Sequence, residues 1–377
     1  MAGIRDSRMN EEERHFLYFL RCGLWNLRES YDGSSEIRWD RIYDLALQQT
    51  VAGVIADGIT MAGIPIPTNE AAFGKFAGTV FATERRNTQM DALVVKIFRA
   101  FSENGIKAFL VKGQEAARAY PDPSKRQPGD IDIFMDAGNY MKAKSLVALI
   151  SGCGGIERES NLHYATELGD VEVELHGSFK SLTDRNLDKR VIVWAEEMTD
   201  FPCPVWKEGG TEIGLLPYNF EAIFLFLHFF HHFMTSGLGL RQICDWVRYL
   251  YVNKDNIDRV RLEKDISRLG IVLPWRVFAC LAVDYLGCPE DSALLYDDSY
   301  SRKALKVLER IMKTGNFGKS VRGKRRNERY LVRKTRSFFI SFKDFIRLSL
   351  IFPKESLLNF SGFCREGMGA VMNDIKN

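Results

Sequence analysis

At 377 residues the chain is long enough for two or three domains, or for one core with large additions. Apolar residues make up 46% and charged residues 27%, which excludes a chain too polar to bury a core. Seven scattered cysteines form no CxxC pair, excluding a disulfide framework and a zinc ribbon and pointing to a reducing, cytoplasmic setting.

The net charge of +3 is unevenly spread: residues 319–336 carry nine basic residues against Glu328, which leaves −5 to the rest of the chain. The opening "MAGIRDSRMNEEERHF" has no apolar h-region, so no signal peptide is expected. Residues 10–104 read as helical. "ERHFLYFLRCGLWNLR", "WDRIYDLALQQTVAGVIADGI" and a long segment ending at Asn104-Gly105 each carry apolar residues at three- and four-residue spacing.

The period then changes. "IKAFLV" (106–111) predicts a strand, and Lys112-Gly113 opens a short helix, "QEAARAY". "YPDPSKRQPG" is a loop, closed by Pro128-Gly129. "DIDIFM" alternates as a strand, "GNYMKAKSLVALISG" is a helix, and "HYATEL" and "VEVELH" flank Gly169-Asp170 as a hairpin. The stretch from "VIVWAEE" to "VWKE" is mixed. From Tyr218 onward helix persists, beginning with "FEAIFLFLHFFHHFM", whose 15 residues fall short of the roughly 20 that a spanning helix needs. The expectation is an α+β protein. A small mixed sheet (105–210) lies between an N-terminal helical region (1–104) and a C-terminal one (211–377), without repeats or low-complexity segments.

In a strand, residues i and i+2 face the same way. Asp130 and Asp132 therefore point together while Ile131, Ile133 and Met135 face the core; Glu172, Glu174 and His176 share one face of "VEVELH". If the two strands are neighbours, three or four carboxylates converge. Like charges at about 4 Å repel by roughly 4 kcal/mol at an effective dielectric near 20. Such a cluster needs a cation, protonation, or open water, and hard oxygen ligands on a rigid sheet suit Mg²⁺ or Mn²⁺. Lys112-Gly113, between strand and helix, offers a place where free N–H groups attract an anion. Arg126, four residues before Asp130, can reach back over the same site, whereas Lys125 reads as solvated. Neither GxxxxGK[ST] nor GxGxxG is present.

"FLVKGQEAARAYPDPSKRQPGDIDIFM" and the later "VEVELHG" together resemble the uncharacterised nucleotidyltransferase-like family of bacteria, within the polymerase-β-like nucleotidyltransferase superfamily. The resemblance runs from about Ile106 to Trp246. It implies a small mixed sheet, a turn glycine at Gly113, a metal-binding pair at Asp130 and Asp132, and a third carboxylate at Glu174. With it come a nucleoside triphosphate as substrate, Mg²⁺ or Mn²⁺ as cofactor, and an acceptor that could be a small molecule, sugar, protein or RNA end. Lys112, Gly113, Arg126, Gly129 and His176 complete the expected nucleotide-binding set. The wider superfamily has Gly-Ser or Gly-Gly at the turn, where this chain has Gly113-Gln114. That departure keeps open a non-catalytic module acting through its helices and basic segment; a phosphohydrolase using the same acids is a third reading.

Other groups have plainer readings. Glu172 sits at the rim. His176 either makes a structural hydrogen bond or takes a proton from the acceptor. His228 and His232, four apart, read as a satisfied, partly buried pair, and Arg241 with Asp245 as an intrahelical ion pair. The basic 319–336 segment and the amphipathic stretch after it fit a solvated helix face, nucleic-acid phosphates, or an anionic membrane surface.

Overall fold

A computed structural model describes residues 9–28, 31, 36–69, 71–151, 158–160, 162–179, 185–197, 201–316, 342–362 and 364. The first helix, α1 (Glu11–Trp25), starts at Asn10, whose side chain accepts the Glu13 N–H at 2.8 Å, and three glutamates fill its first turn. The sequence "WDRIYDLALQQTVAGVIADGI" is two helices rather than one: α2 (Trp39–Gln48) and α3 (Ala52–Met61). The chain breaks at Thr50, which takes φ 57°. Helices α1 and α3 cross at two glycines. A Cβ on Gly23 would lie 2.0 Å from the Val54 carbonyl oxygen, and one on Gly58 1.8 Å from that of Phe19, so only glycine allows this approach.

Next comes the 31-residue α4 (Phe73–Glu103). The main sheet contains β1 (Phe109–Val111), β2 (Ile131–Phe134), β3 (Arg158–Ser160), β4 (His163–Leu168) and β5 (Val171–His176), in the order β1-β2-β5-β4-β3. It is mixed: β2 and β5 run parallel, and every other pair is antiparallel. The expected hairpin turn is present, with Gly169 at φ 68°. The region first read as mixed resolves into α7 (Arg185–Glu196) and a hairpin of β6 (Val205–Glu208) and β7 (Thr211–Gly214). A bridge from Leu110 to Leu215 joins the hairpin to the sheet, so the β region runs past residue 210.

The sheet's two faces differ as the alternation requires. Ile131, Ile133, Val171, Val173 and Leu175 pack with Met90, Val94, Ile97 and Phe101 of α4 and with Tyr140, Ala143 and Val147 of α6 (Ala137–Ser151). Half of α4 thus belongs to the sheet's core. The opposite face looks toward α8 (Tyr218–Thr235), through the stacked Phe134 and Phe179 and the edge-on Phe224, and α9 (Leu240–Val252) packs on α8. The helices before and after the sheet share one core: Phe16, Phe19 and Ile55 lie in the same buried cluster as Phe226, Trp246, Trp275 and Leu308. Gln49, fully buried, ties them directly. It donates to the Ile311 carbonyl at 3.1 Å and accepts the Leu240 N–H at 3.1 Å. Among the described residues no helix is long and apolar enough to cross a membrane.

Candidate functional site

The register of β2 against β5 sets Asp132 beside Glu174 and Ile131 beside Val173. Strands that had to be neighbours for their acids to meet are neighbours. Asp130, Asp132 and Glu174 each bring a carboxylate oxygen within 4.8 Å of the others. Glu172 shares the face but lies opposite Glu167, outside this group.

Lys112 provides the nearest positive charge. Its Nζ lies 2.5 Å from Asp132 Oδ1 and over the Phe224 ring at 5.6 Å. Its backbone takes φ 57° and ψ −124°, a conformation costing a non-glycine residue about 1–3 kcal/mol. Two contacts hold it there: the side-chain ion pair, and the N–H donated to Glu221 Oε1 at 2.8 Å. That N–H is therefore already satisfied. The helix that follows, α5 (Gly113–Ala117), is a five-residue turn, and Gln114 within it is buried with its amide donating to Asp91 Oδ1 at 2.6 Å. Gly113 answers to packing: a Cβ there would lie 2.9 Å from the Asp130 carbonyl oxygen, so the turn presses directly on the strand that carries the aspartates.

The charges set each other's ionisation. Asp132 crowds Asp130 and burial adds to it, pushing its carboxyl up to about 6. Burial works against an ionised Asp132, but Lys112 and His176 outweigh it and hold its carboxyl well below the usual range. Burial likewise disfavours a charged Lys112, and Asp132, Asp130 and Glu174 overcome it, so its pKa is raised. His176 Nε2 sits 2.7 Å from Asp132 Oδ1; burial, then the Lys112 charge, lower its pKa. His163 Nε2 lies 3.1 Å from Glu174 Oε2, and that contact raises its pKa. Burial holds Glu221 far above the usual carboxylate range and pushes Glu115, within the α5 turn, up to about 7.

Arg126 is placed differently from the expectation that it reaches over the acids. Its Nε and Nη2 donate to Asp245 Oδ1 and Oδ2 at 3.0 and 2.7 Å, with both side chains at most 5% exposed. Tyr120 donates to the same carboxylate at 2.7 Å. Asp245 is thus taken up by Arg126 and Tyr120, and no ion pair between it and Arg241 forms. Arg241 donates instead to the Gln127 carbonyl at 2.8 Å, its Nε is buried without a partner, and its guanidinium borders Gly129. Lys125 pairs with Glu84 on α4 rather than standing in solvent. The loop between these points is anchored by Asn87, whose amide donates to the carbonyls of Ser124 and Arg126, each at 2.8 Å. His228 and His232 stack edge to face at 4.6 Å as a half-buried pair; burial first, then the Lys112 charge, lowers the pKa of His228. The 319–336 basic segment lies outside the described residues.

The sequence reading did not single out His163, Glu221 or Asn87. His163 had a signal: counting back from the two-residue turn at Gly169-Asp170 places it opposite His176, and the register does so. Glu221 and Asn87 act across more than 35 residues and leave no local trace.

A small mixed sheet with paired aspartates, a third carboxylate on the next strand and a turn glycine pressed against them is a nucleotidyltransferase-type core. The chain belongs to the family described as uncharacterised nucleotidyltransferase, which matches residues 35–287. Among solved structures it is similar to an antigenic nucleotidyltransferase-like protein from Paracoccidioides brasiliensis, at 12% identity and a TM-score of 0.33 over 56% of this chain and 96% of that one. No curated protein matches the chain.

Proposed function

We propose that the protein transfers a nucleoside monophosphate from a nucleoside triphosphate to a hydroxyl-bearing acceptor. The observation that carries this reading is the convergence of Asp130, Asp132 and Glu174, faced by Lys112, in a chain of a nucleotidyltransferase family. The donor set suits a hard divalent ion: three carboxylates, one of them, Asp130, pushed up to about 6 by the neighbouring Asp132 charge and by burial. Asp130, Asp132 and Glu174 would hold Mg²⁺ or Mn²⁺, which when bound neutralises the acids and polarises the reacting phosphate.

The chain's own residues do the rest. Lys112 leaves Asp132 for the phosphates once the acids are otherwise neutralised, and Arg241, with its unpartnered Nε, meets the triphosphate from α9 beside Gly129. Arg126 acts through the loop: locked to Asp245, it fixes the approach of Pro128-Gly129 to Asp130. Gly113 lets turn and strand meet, and His176 orients Asp132. The acceptor oxygen forms a bond to the α-phosphorus, the bond from that phosphorus to the bridging oxygen breaks, pyrophosphate leaves and the acceptor's proton passes to water.

Calorimetric titration with ATP, CTP, GTP and UTP, with and without Mg²⁺, tests the reading. Metal-dependent binding of at least one nucleotide that Asp130→Asn/Asp132→Asn abolishes is the expected result. No nucleotide binding, or binding unchanged in that variant, refutes it and leaves a non-catalytic module.

A further inference from the structure

A second group of ligands stands beside the three carboxylates. His163, Glu174 and His176 place Nε2, Oε2 and Nε2 all within 4.8 Å of one another. The antiparallel register of β4 and β5 explains why: His163 is directly opposite His176, and Glu174, two residues along the same face, is opposite the small Ala165. The two imidazole rings lie 4.9 Å apart at centroids, and a hairpin of regular strands holds them.

The distances from Glu174 to the two imidazoles approach those within a metal's ligand shell. Two ligands bound tetrahedrally at about 2.1 Å from one ion are separated by about 3.4 Å. Here Glu174 Oε2 lies 3.1 Å from His163 Nε2 and 3.6 Å from His176 Nε2. Two imidazoles and one carboxylate are also a different donor class from three carboxylates. Nitrogen ligands select borderline transition ions such as Zn²⁺, Co²⁺ or Ni²⁺, whereas all-oxygen sets suit Mg²⁺ and Mn²⁺. His163 is 38% exposed at its side chain and His176 15%, so the position opens toward solvent on the His163 side and leaves room for a water or an acceptor group.

We infer that His163, Glu174 and His176 form a binding site for a divalent transition-metal ion, adjacent to the Asp130–Asp132–Glu174 position and sharing Glu174 with it. Entry of the ion exchanges the 2.7 Å contact between His176 and Asp132 for a metal bond, and the Asp132 carboxylate keeps Lys112 as its counterion. This site does not depend on the protein being a nucleotidyltransferase.

The test is titration of the metal-free full chain with Co²⁺ and Zn²⁺, read by calorimetry, by the visible spectrum of Co²⁺, and by the imidazole nitrogen signals on adding Zn²⁺. One equivalent should bind in the presence of excess Mg²⁺, and shift the signals of His163 and His176. Binding should persist in Asp130→Asn, which removes a carboxylate of the other position only. It should weaken about tenfold or more in His163→Ala, a half-exposed residue whose loss leaves the circular dichroism and melting temperature of the metal-free protein unchanged. Three results overturn the assignment: displacement by Mg²⁺, equal affinity in His163→Ala, or shifts confined to His228 and His232. Loss of nucleotide binding with this site intact would refute the transferase reading alone.

Discussion

Replacing Asp245 by alanine is expected to destabilise the fold by about 3–5 kcal/mol. The carboxylate is fully used, accepting Arg126 Nε at 3.0 Å, Arg126 Nη2 at 2.7 Å and the Tyr120 hydroxyl at 2.7 Å, with both partners of the ion pair at most 5% exposed. Removing it leaves a guanidinium that water cannot reach. Arg126 cannot escape by giving up its proton, because a guanidinium keeps its proton even where burial disfavours the charge. The uncompensated charge therefore dominates the loss, with the orphaned tyrosine hydroxyl adding about 1–3 kcal/mol at most. Urea unfolding followed by tryptophan fluorescence reads the change, since Trp246 adjoins Asp245 and is buried. The decisive comparison is Arg126→Met/Asp245→Leu, which removes both charges and is expected to recover most of the stability. An Asp245→Ala protein within about 1 kcal/mol of the parent, or a double variant no better than either single, would refute the reasoning.

Two further outcomes follow from the site. Asp130, raised to about 6, takes up a proton in the folded state more readily than in the unfolded chain, so its contribution to stability declines as pH rises from about 4 to about 6. Metal-free Asp130→Asn should therefore be the more stable protein at pH 7.5, by up to about 3 kcal/mol, with the advantage gone near pH 4; a difference flat across that range in paired melts would contradict the charge crowding. Gly113→Ala should cost about 1–3 kcal/mol, because its Cβ would sit 2.9 Å from the Asp130 carbonyl oxygen, and hydrogen exchange should quicken at Ile131 and Asp132. Unchanged exchange there would mean that the turn yields without moving the strand.

What the sequence made legible was what alternation can carry. A period of two in "DIDIF" and "VEVELH" separates core from site within each strand; that the two strands are neighbours, and parallel, only the structure shows. The α+β class was legible for the same reason. The break between α2 and α3 was not, because Thr50 adopts a left-handed conformation without glycine or proline to mark it. Nor was the partner of Asp245. Local reasoning offers Arg241 four residues earlier, while the actual partner, Arg126, comes from 119 residues away and wins because its fork meets the carboxylate in a buried place. Lys125 shows the same limit: a loop lysine looks solvated until α4 brings Glu84 to it. The regional boundaries at 104 and 210 were drawn where periodicity changes, but packing ignores them. Half of α4 belongs to the sheet, and Gln49 joins the helices on either side of it.

The lysine lodged against Asp132 makes the acid cluster an internal salt. A cluster with one counterion of its own can fold without a metal, while Asp130 stays crowded, so any ion that binds the folded site adds to its stability. The same lysine is a competitor that never diffuses away. Any cation arriving at the carboxylates must outbid an ammonium tethered at 2.5 Å. Under the proposed function, a divalent ion delivered with a triphosphate would bring, in one package, the replacement for the lysine and the anion to which the lysine can move. Under that same proposal, such a tether would favour loading by the metal–nucleotide pair together over loading by metal first.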